Sequence, residues 1–133
     1  MNQTGWINLM KLSGEASDKC TYNGRPHCDM KMIEKYNEGL ICTTACLGSY
    51  LDQCIVRDDM EEAHAHLQEL KDIFGDRLFI EVQPFNDVEQ IKANLVLIEL
   101  AKSICTVFHL AFRLFLKKSY SNICVIQFAL MDG

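Results

Sequence analysis

The stretch Glu38–Tyr50, EGLICTTACLGSY, is the point from which the rest of the chain is read. Leu40–Thr44 is a short apolar run with β-branched residues, too short for a helix, and it reads as a buried strand. Gly39 leads into it, and the small residues of Ala45–Ser49 make a turn that holds Cys46. A helical turn or two, Tyr50–Val56, follows. A buried strand running into a small-residue turn and then a helix is the opening half of a β/α unit.

The flanks extend that pattern. Upstream, Asn2–Lys19 has apolar residues Trp6, Leu9, Met10 and Leu12 at helical spacing, with Thr4 as candidate N-cap. Asn23-Gly24 and Pro26 mark a loop, Asp29 caps a short helix Met30–Tyr36, and Asn37 and Gly39 close it. Downstream, Asp58 is expected to cap a helix over Asp59–Phe74, whose apolar face is Met60, Ala63, Leu67, Leu70 and Phe74. Gly75 ends it. Arg77–Gln83 alternates as a strand, with Leu78, Ile80 and Val82 on one side and Phe79 and Glu81 on the other. Asn86 or Asp87 then caps a helix over Val88–Ser103, with Ile91, Leu95, Ile98 and Leu100 on its buried side. Strand, helix, strand, helix at this spacing predicts an α/β fold with a parallel sheet or a barrel segment.

Composition bounds the function. The chain has 133 residues, 49% hydrophobic and 23% charged, which suits one soluble domain. The net charge of −5 argues against non-specific nucleic-acid affinity, which needs surplus Lys and Arg. There are seven cysteines and no signal-peptide pattern, so reduced thiols in a cytoplasmic setting are expected. Cys42 and Cys46 are four apart with no second pair, short of a zinc-knuckle spacing. From Ile104 the texture changes. ICTVFHLAFRLFL is apolar on nearly all faces, and Arg113, Lys117 and Lys118 outnumber the one acid of the tail, Asp132. The run contains His109 and Arg113 and falls short of the roughly 20 residues a spanning helix needs, so no membrane association is expected.

Three segments, NQTGWINLMKLSGEAS, RPHCDMKMIEKYNEGLICTTACLGS and IFGDRLFIEVQ, carry a resemblance over about residues 1–103. They resemble the PHP (polymerase and histidinol phosphatase) domain of the α subunit of bacterial and phage DNA polymerase III. The matching features are an N-x-x-G-aromatic-x-N-L helix, an E-K-Y-x-E-G-L-I lead into a strand ending at Cys, and an F-G-D-R-x-F-I-E-hydrophobic-Q strand. The resemblance implies a distorted β/α barrel, here partial and incomplete at both ends. It also implies a metal cluster of zinc, manganese or magnesium on His, Asp, Glu and Cys ligands, supporting phosphoester hydrolysis of the 3′–5′ exonuclease type. DNA and other replisome subunits are the partners it implies for the full-length protein.

Carried over by position, Cys46 stands where the family places a cysteine ligand after the strand; taken alone, it reads first as a small buried, unreactive thiol in a tight turn. His27 stands where an Arg or His is common, near a metal or phosphate or else in a solvated loop. Glu81 is expected to pair with an arginine such as Arg77, while His64 and His66, two apart on a helix, face different sides as surface residues. His109 reads as a core residue. The family's HxH motif, Asp-His strand end and Glu ligand correspond to positions before Met1, and its A-T-N-D-x-H motif has no counterpart after Ser103. The expectation is a catalytically inactive fragment, binding no metal stably, with a divergent tail at 104–133 arising from a frameshift. The alternative is a free-standing interaction or regulatory module derived from the same domain.

Overall fold

The computed structural model describes residues 2–22, 24–83, 85–104, 106–109 and 125–127. The chain divides into two compact units, one of residues 1–41 with 120–126 and the other of residues 42–119 with 127–133. Among the described residues there are five α-helices and two small sheets, a mixed α/β architecture.

The first unit opens with α1 (Gln3–Lys19). Its N-cap is Asn2 rather than Thr4: the Asn2 carboxamide oxygen accepts from the Gly5 N–H at 3.1 Å, satisfying one of the free donors of the first turn. The buried face is Gly5, Leu12 and Ala16, so the expected apolar stripe is displaced, with Trp6 and Met10 about half exposed. The reason is a close backbone approach. A Cβ on Gly5 would lie 2.1 Å from the Gly39 carbonyl oxygen, and Gly39, at φ +73°, would drive a Cβ to 2.6 Å from the Gly5 nitrogen. Asn8 adds a side-chain hydrogen bond to the Glu38 carbonyl at 2.9 Å. The N-x-x-G-aromatic-x-N and E-G motifs are therefore two sides of one contact. The helix turns its glycine face toward Gly39, and its large apolar residues are left outside.

A hairpin of β1 (Thr21–Tyr22) and β2 (Arg25–Pro26) follows, antiparallel with Thr21 opposite Pro26 and Tyr22 opposite Arg25. Then comes α2 (Met30–Tyr36), capped by Asp29, whose side chain accepts from the Met32 N–H as expected. Glu15 of α1 ties to α2 through Lys35 Nζ at 2.8 Å and Tyr36 Oη at 2.6 Å, and to Lys19 at 2.9 Å. Lys35 first, then Tyr36 and Lys19, hold the Glu15 carboxyl down at about 2.

In the second unit three strands run parallel. Cys42 and Thr43 of β3 (Ile41–Thr43) pair with Leu78 and Phe79 of β4 (Leu78–Val82). On the other side of β4 lies β5 (Thr106–His109), with Phe79 opposite Thr106 and Val82 opposite His109. β4 is thus central, and both its faces are covered: Leu78, Ile80, Val82 and also Glu81 are buried, as parallel strands require. Between β3 and β4 run α3 (Tyr50–Val56), capped by Ser49, and α4 (Met60–Phe74). Asp59, not Asp58, caps α4; Asp58 sits at φ +61°, where Asp is tolerated, and takes an ion pair from Lys92 at 2.8 Å. Ala63, Leu67, Leu70 and Phe74 bury the expected face, and Gly75, at φ +55°, stops the helix.

After β4 comes α5 (Val88–Ile104), with the Asp87 carboxylate accepting from the Glu89 and Gln90 N–H groups. Its buried residues are Gln90, Ala93, Leu97, Leu100 and Ala101. Ile91 and Leu95, expected inside, are 44% and 62% exposed. The helix is apolar on more than one side, so periodicity could not select the face. Polar Gln90 and Asn94, which bond to each other at 3.0 Å, turn toward the end of β4 instead. Val125–Gln127 forms a further short strand, β6. The rest of the apolar tail lies outside the described residues, including Arg113, Lys117 and Lys118. Among the described residues no helix is long and apolar enough to cross a membrane.

Candidate functional site

The carboxyl ends of parallel strands are where α/β proteins gather functional groups. Here the ends of β3 and β4 carry a buried polar network. Thr43 Oγ1 donates to Glu81 Oε2 at 2.9 Å, and Gln83 Nε2 donates to Glu81 Oε1 at 2.7 Å. The Glu81 N–H donates to Thr44 Oγ1 at 3.0 Å. Asn94 Nδ2 reaches back from α5 to the Gln83 carbonyl at 2.7 Å. Glu81 is 2% exposed, so the Thr43 and Gln83 bonds replace water that its carboxylate has lost. The expected pairing with Arg77 is not its described role; Arg77 lies over the Phe74 ring, 5.6 Å from its centroid. Thr43→Val keeps the side-chain shape but removes a donor to a buried carboxylate. It is expected to lower stability by about 2 kcal/mol in urea denaturation, and a loss below about 0.5 kcal/mol would show Glu81 satisfied without it.

Cys46 follows directly. Ala45 adopts φ +66°, a left-handed residue that swings the chain off the sheet, and the Ser49 N–H donates to the Cys46 carbonyl at 2.7 Å to close a turn. Cys46 is a half-buried free thiol. Ser49 then caps α3 by accepting from the Asp52 N–H at 3.2 Å. His27 belongs to the hairpin of the first unit, where Nδ1 faces the Arg25 carbonyl at 2.9 Å and the ring packs edge-on to Tyr22. His64 is exposed, as expected of it. His66 is not a free surface group: it packs against the Tyr50 ring at 5.0 Å, and burial pulls its pKa down against the opposing pull of Glu69 and Glu62. His109 lies on β5 opposite Val82.

The residue missed from sequence is Asp52. It is 1% exposed, and neither carboxylate oxygen has a hydrogen-bond partner among the described residues. Burial pushes its carboxyl up to about 7; the Ser49 hydroxyl offsets part of this and the Glu81 charge adds to it. The signal was present in the sequence: Asp52 sits among Leu51, Cys54 and Ile55, all on the buried side of α3.

A metal would need several of these donors to converge. Among the described residues no three His, Cys, Asp or Glu side chains are grouped so as to hold a metal ion. Glu81 has both oxygens engaged by Thr43 and Gln83, and burial, which raises the Asp52 carboxyl to about 7, opposes the charged form a cation needs. The described residues do not fit a metal cluster.

A parallel β/α segment with a cysteine turn at its strand end defines a class, and comparison with known proteins names it. The family model of the PHP domain matches residues 1–84, and the chain belongs to that family. Its relatives include the DNA polymerase III subunit alpha of Thermus aquaticus, 39% identical over 99 residues, and that of Aquifex aeolicus, 43% identical over 98. The subunit alpha of Treponema pallidum is 38% identical over 101 residues. These matches cover 74–75% of the chain, which itself spans 8% of the length of each of those relatives.

Proposed function

We propose that the chain is a segment of the PHP region of a DNA polymerase III α subunit, a DNA-replication protein of the cytoplasm, and that alone it neither polymerises DNA nor hydrolyses phosphoesters. In this reading its β/α units are part of a distorted barrel that binds zinc, manganese or magnesium when complete. DNA and other replisome subunits are partners of the whole protein. Residues 104–133 are a divergent tail entered through a shift of reading frame near residue 103, which the other two frames of the coding DNA test directly. The observation that supports inactivity is the state of the strand ends. Glu81 is committed to Thr43 and Gln83, and among the described residues Cys46 has no set of acidic or imidazole neighbours to share a metal with.

The test is titration of the full chain with Zn²⁺, Mn²⁺ and Mg²⁺ by calorimetry, together with hydrolysis of a chromogenic phosphodiester in each metal. No stoichiometric binding and no turnover above the metal-only control are expected. Turnover that disappears in Cys46→Ser would overturn the reading. A second reading, a free-standing interaction module, draws on exposed Trp6, Ile7 and Met10 on α1 and on exposed Val88, Ile91 and Leu95 on α5. Cooperative unfolding of the purified chain, with one sharp transition, would favour it over the fragment.

A further inference from the structure

A buried carboxyl without a hydrogen-bond partner calls for a physical reason, and Asp52 is such a group. A neutral acid is tolerated in that setting, whereas an ionised one needs water or a counter-charge beside it. The helix that carries it is short. α3 is held down by Leu51, Cys54 and Ile55, all buried. Left-handed residues stand on either side of it, Ala45 at φ +66° before and Asp58 at φ +61° after. Its remaining ties run to neighbouring helices and to its own turn. Tyr50 Oη donates to Glu62 Oε1 of α4 at 2.8 Å, Lys92 Nζ of α5 donates to the Val56 carbonyl at 3.3 Å, and Gln53 Nε2 donates to the Leu47 carbonyl. A short element with sharp turns at both ends can leave its neighbours while few backbone angles change.

We propose that α3 is a proton-gated segment: with Asp52 neutral it stays docked, and with Asp52 ionised it swings out about Ala45 and Asp58 and exposes the Cys54 thiol. The carboxylate reaches water by leaving the core with its helix. Docked, burial holds the carboxyl up at about 7; undocked, it returns toward its ordinary 3.8. Opening is therefore favoured as pH rises between those values and levels off above them. Other charged groups face α3: Glu81 from the end of β4, Glu62 and His66 from α4, Lys92 from α5, and Arg57 and Asp58 at its own end. Glu81 adds to the resistance of Asp52 to ionisation. His66 acts with the opposite sign: burial lowers its pKa, so it charges against the Tyr50 ring only as pH falls. An opening that grows toward neutral pH is thus not driven by His66, and Asp52→Asn separates Asp52 from the neighbouring acids.

The full chain is labelled with dithiodipyridine near pH 5 and near pH 8, and each cysteine is followed by peptide mass spectrometry. Rates are divided by those of the same cysteines in the urea-unfolded chain, which removes the pH dependence of the thiol chemistry. Cys54 reports α3, and Cys42, buried on β3, reports opening of the sheet. Near pH 8 Cys54 is expected to be at least about tenfold less protected than Cys42, and low urea should leave its protection unchanged while that of Cys42 falls. Near pH 5, and in Asp52→Asn at either pH, Cys54 should gain at least about tenfold in protection. The same steep urea dependence for both cysteines, or equal Cys54 protection in parent and variant near pH 8, would overturn the proposal. Hydrogen exchange of the unmutated chain is a second readout, corrected for intrinsic rates. The α3 amides should lose protection near pH 8 while those of β4 keep it; α3 amides equally protected at both pH values would overturn it too. Neither readout involves a metal or a phosphoester, so the gate and the polymerase reading can fail separately.

Discussion

Gly39→Ala is expected to destabilise the first unit by roughly 3 kcal/mol. Two costs combine. The backbone there is at φ +73°, which a residue with a Cβ adopts only under strain, and the new methyl meets the Gly5 nitrogen at 2.6 Å and Asn2 Oδ1 at 2.7 Å. Two of those neighbours are the cap that starts α1, so the methyl forces the helix away and unmakes the Asn2 cap with it. Denaturant unfolding followed by circular dichroism measures the loss. Gly24→Ala is the control: it also has positive φ, +73°, but its Cβ would meet nothing within 4 Å. If the two variants lose the same amount, backbone strain alone accounts for the effect and the helix contact does not.

Asp52→Asn is expected to do the reverse, and in a pH-dependent way. The folded chain holds the Asp52 carboxyl at about 7, above its ordinary 3.8, so between those values the folded state binds more protons than the unfolded state. Stability must therefore fall as pH rises through this window, and the raised carboxyl corresponds to about 4 kcal/mol lost between pH 4 and pH 8. Asparagine copies the neutral acid and cannot ionise. The variant and its parent should coincide near pH 4 and diverge steadily, the variant becoming the more stable by a few kcal/mol at pH 8. His66, whose pKa is lowered by burial, works in the opposite direction around pH 6, but it is common to both proteins and cancels in the difference. Glu15, lowered from its ordinary 4.5 to about 2, begins to lose its contribution at the acid edge of the window, and it too is common to both proteins and cancels in the difference. Parallel stability profiles for the two proteins would show that Asp52 is not ionising inside the core.

Much of the architecture was legible because local rules agreed with one another. Asp29, Gly75 and the Ala63, Leu67, Leu70, Phe74 stripe each announced an element that the structure contains. The failures have physical causes. On α1, hydrophobicity pointed to Trp6 and Met10, but a glycine-to-glycine backbone contact, which no hydrophobic scale registers, decided the orientation. On α5, a surplus of apolar residues left the face undetermined, and Asn94, itself bonded by Gln90, chose it through hydrogen bonds to Gln83 at the end of β4. Glu81 was read as a strand-end charge; burial of both faces of β4 made it an internal acceptor. At the candidate site, the cysteine turn was readable from small residues, whereas Asp52 required noticing a carboxylate inside an apolar cluster.

The register of β5 on β4 bears on how freely a strand position accepts different sequences. Four successive pairs, from Phe79 with Thr106 to Val82 with His109, join the two strands through main-chain atoms. Peptide groups are the same whatever codons specify them, so a strand position can be filled by any extended segment of adequate β propensity. TVFH, with Thr, Val and Phe, meets that requirement. A sheet edge thus acts as a permissive acceptor for any such extended segment, and β5 fills that place beside β4 here.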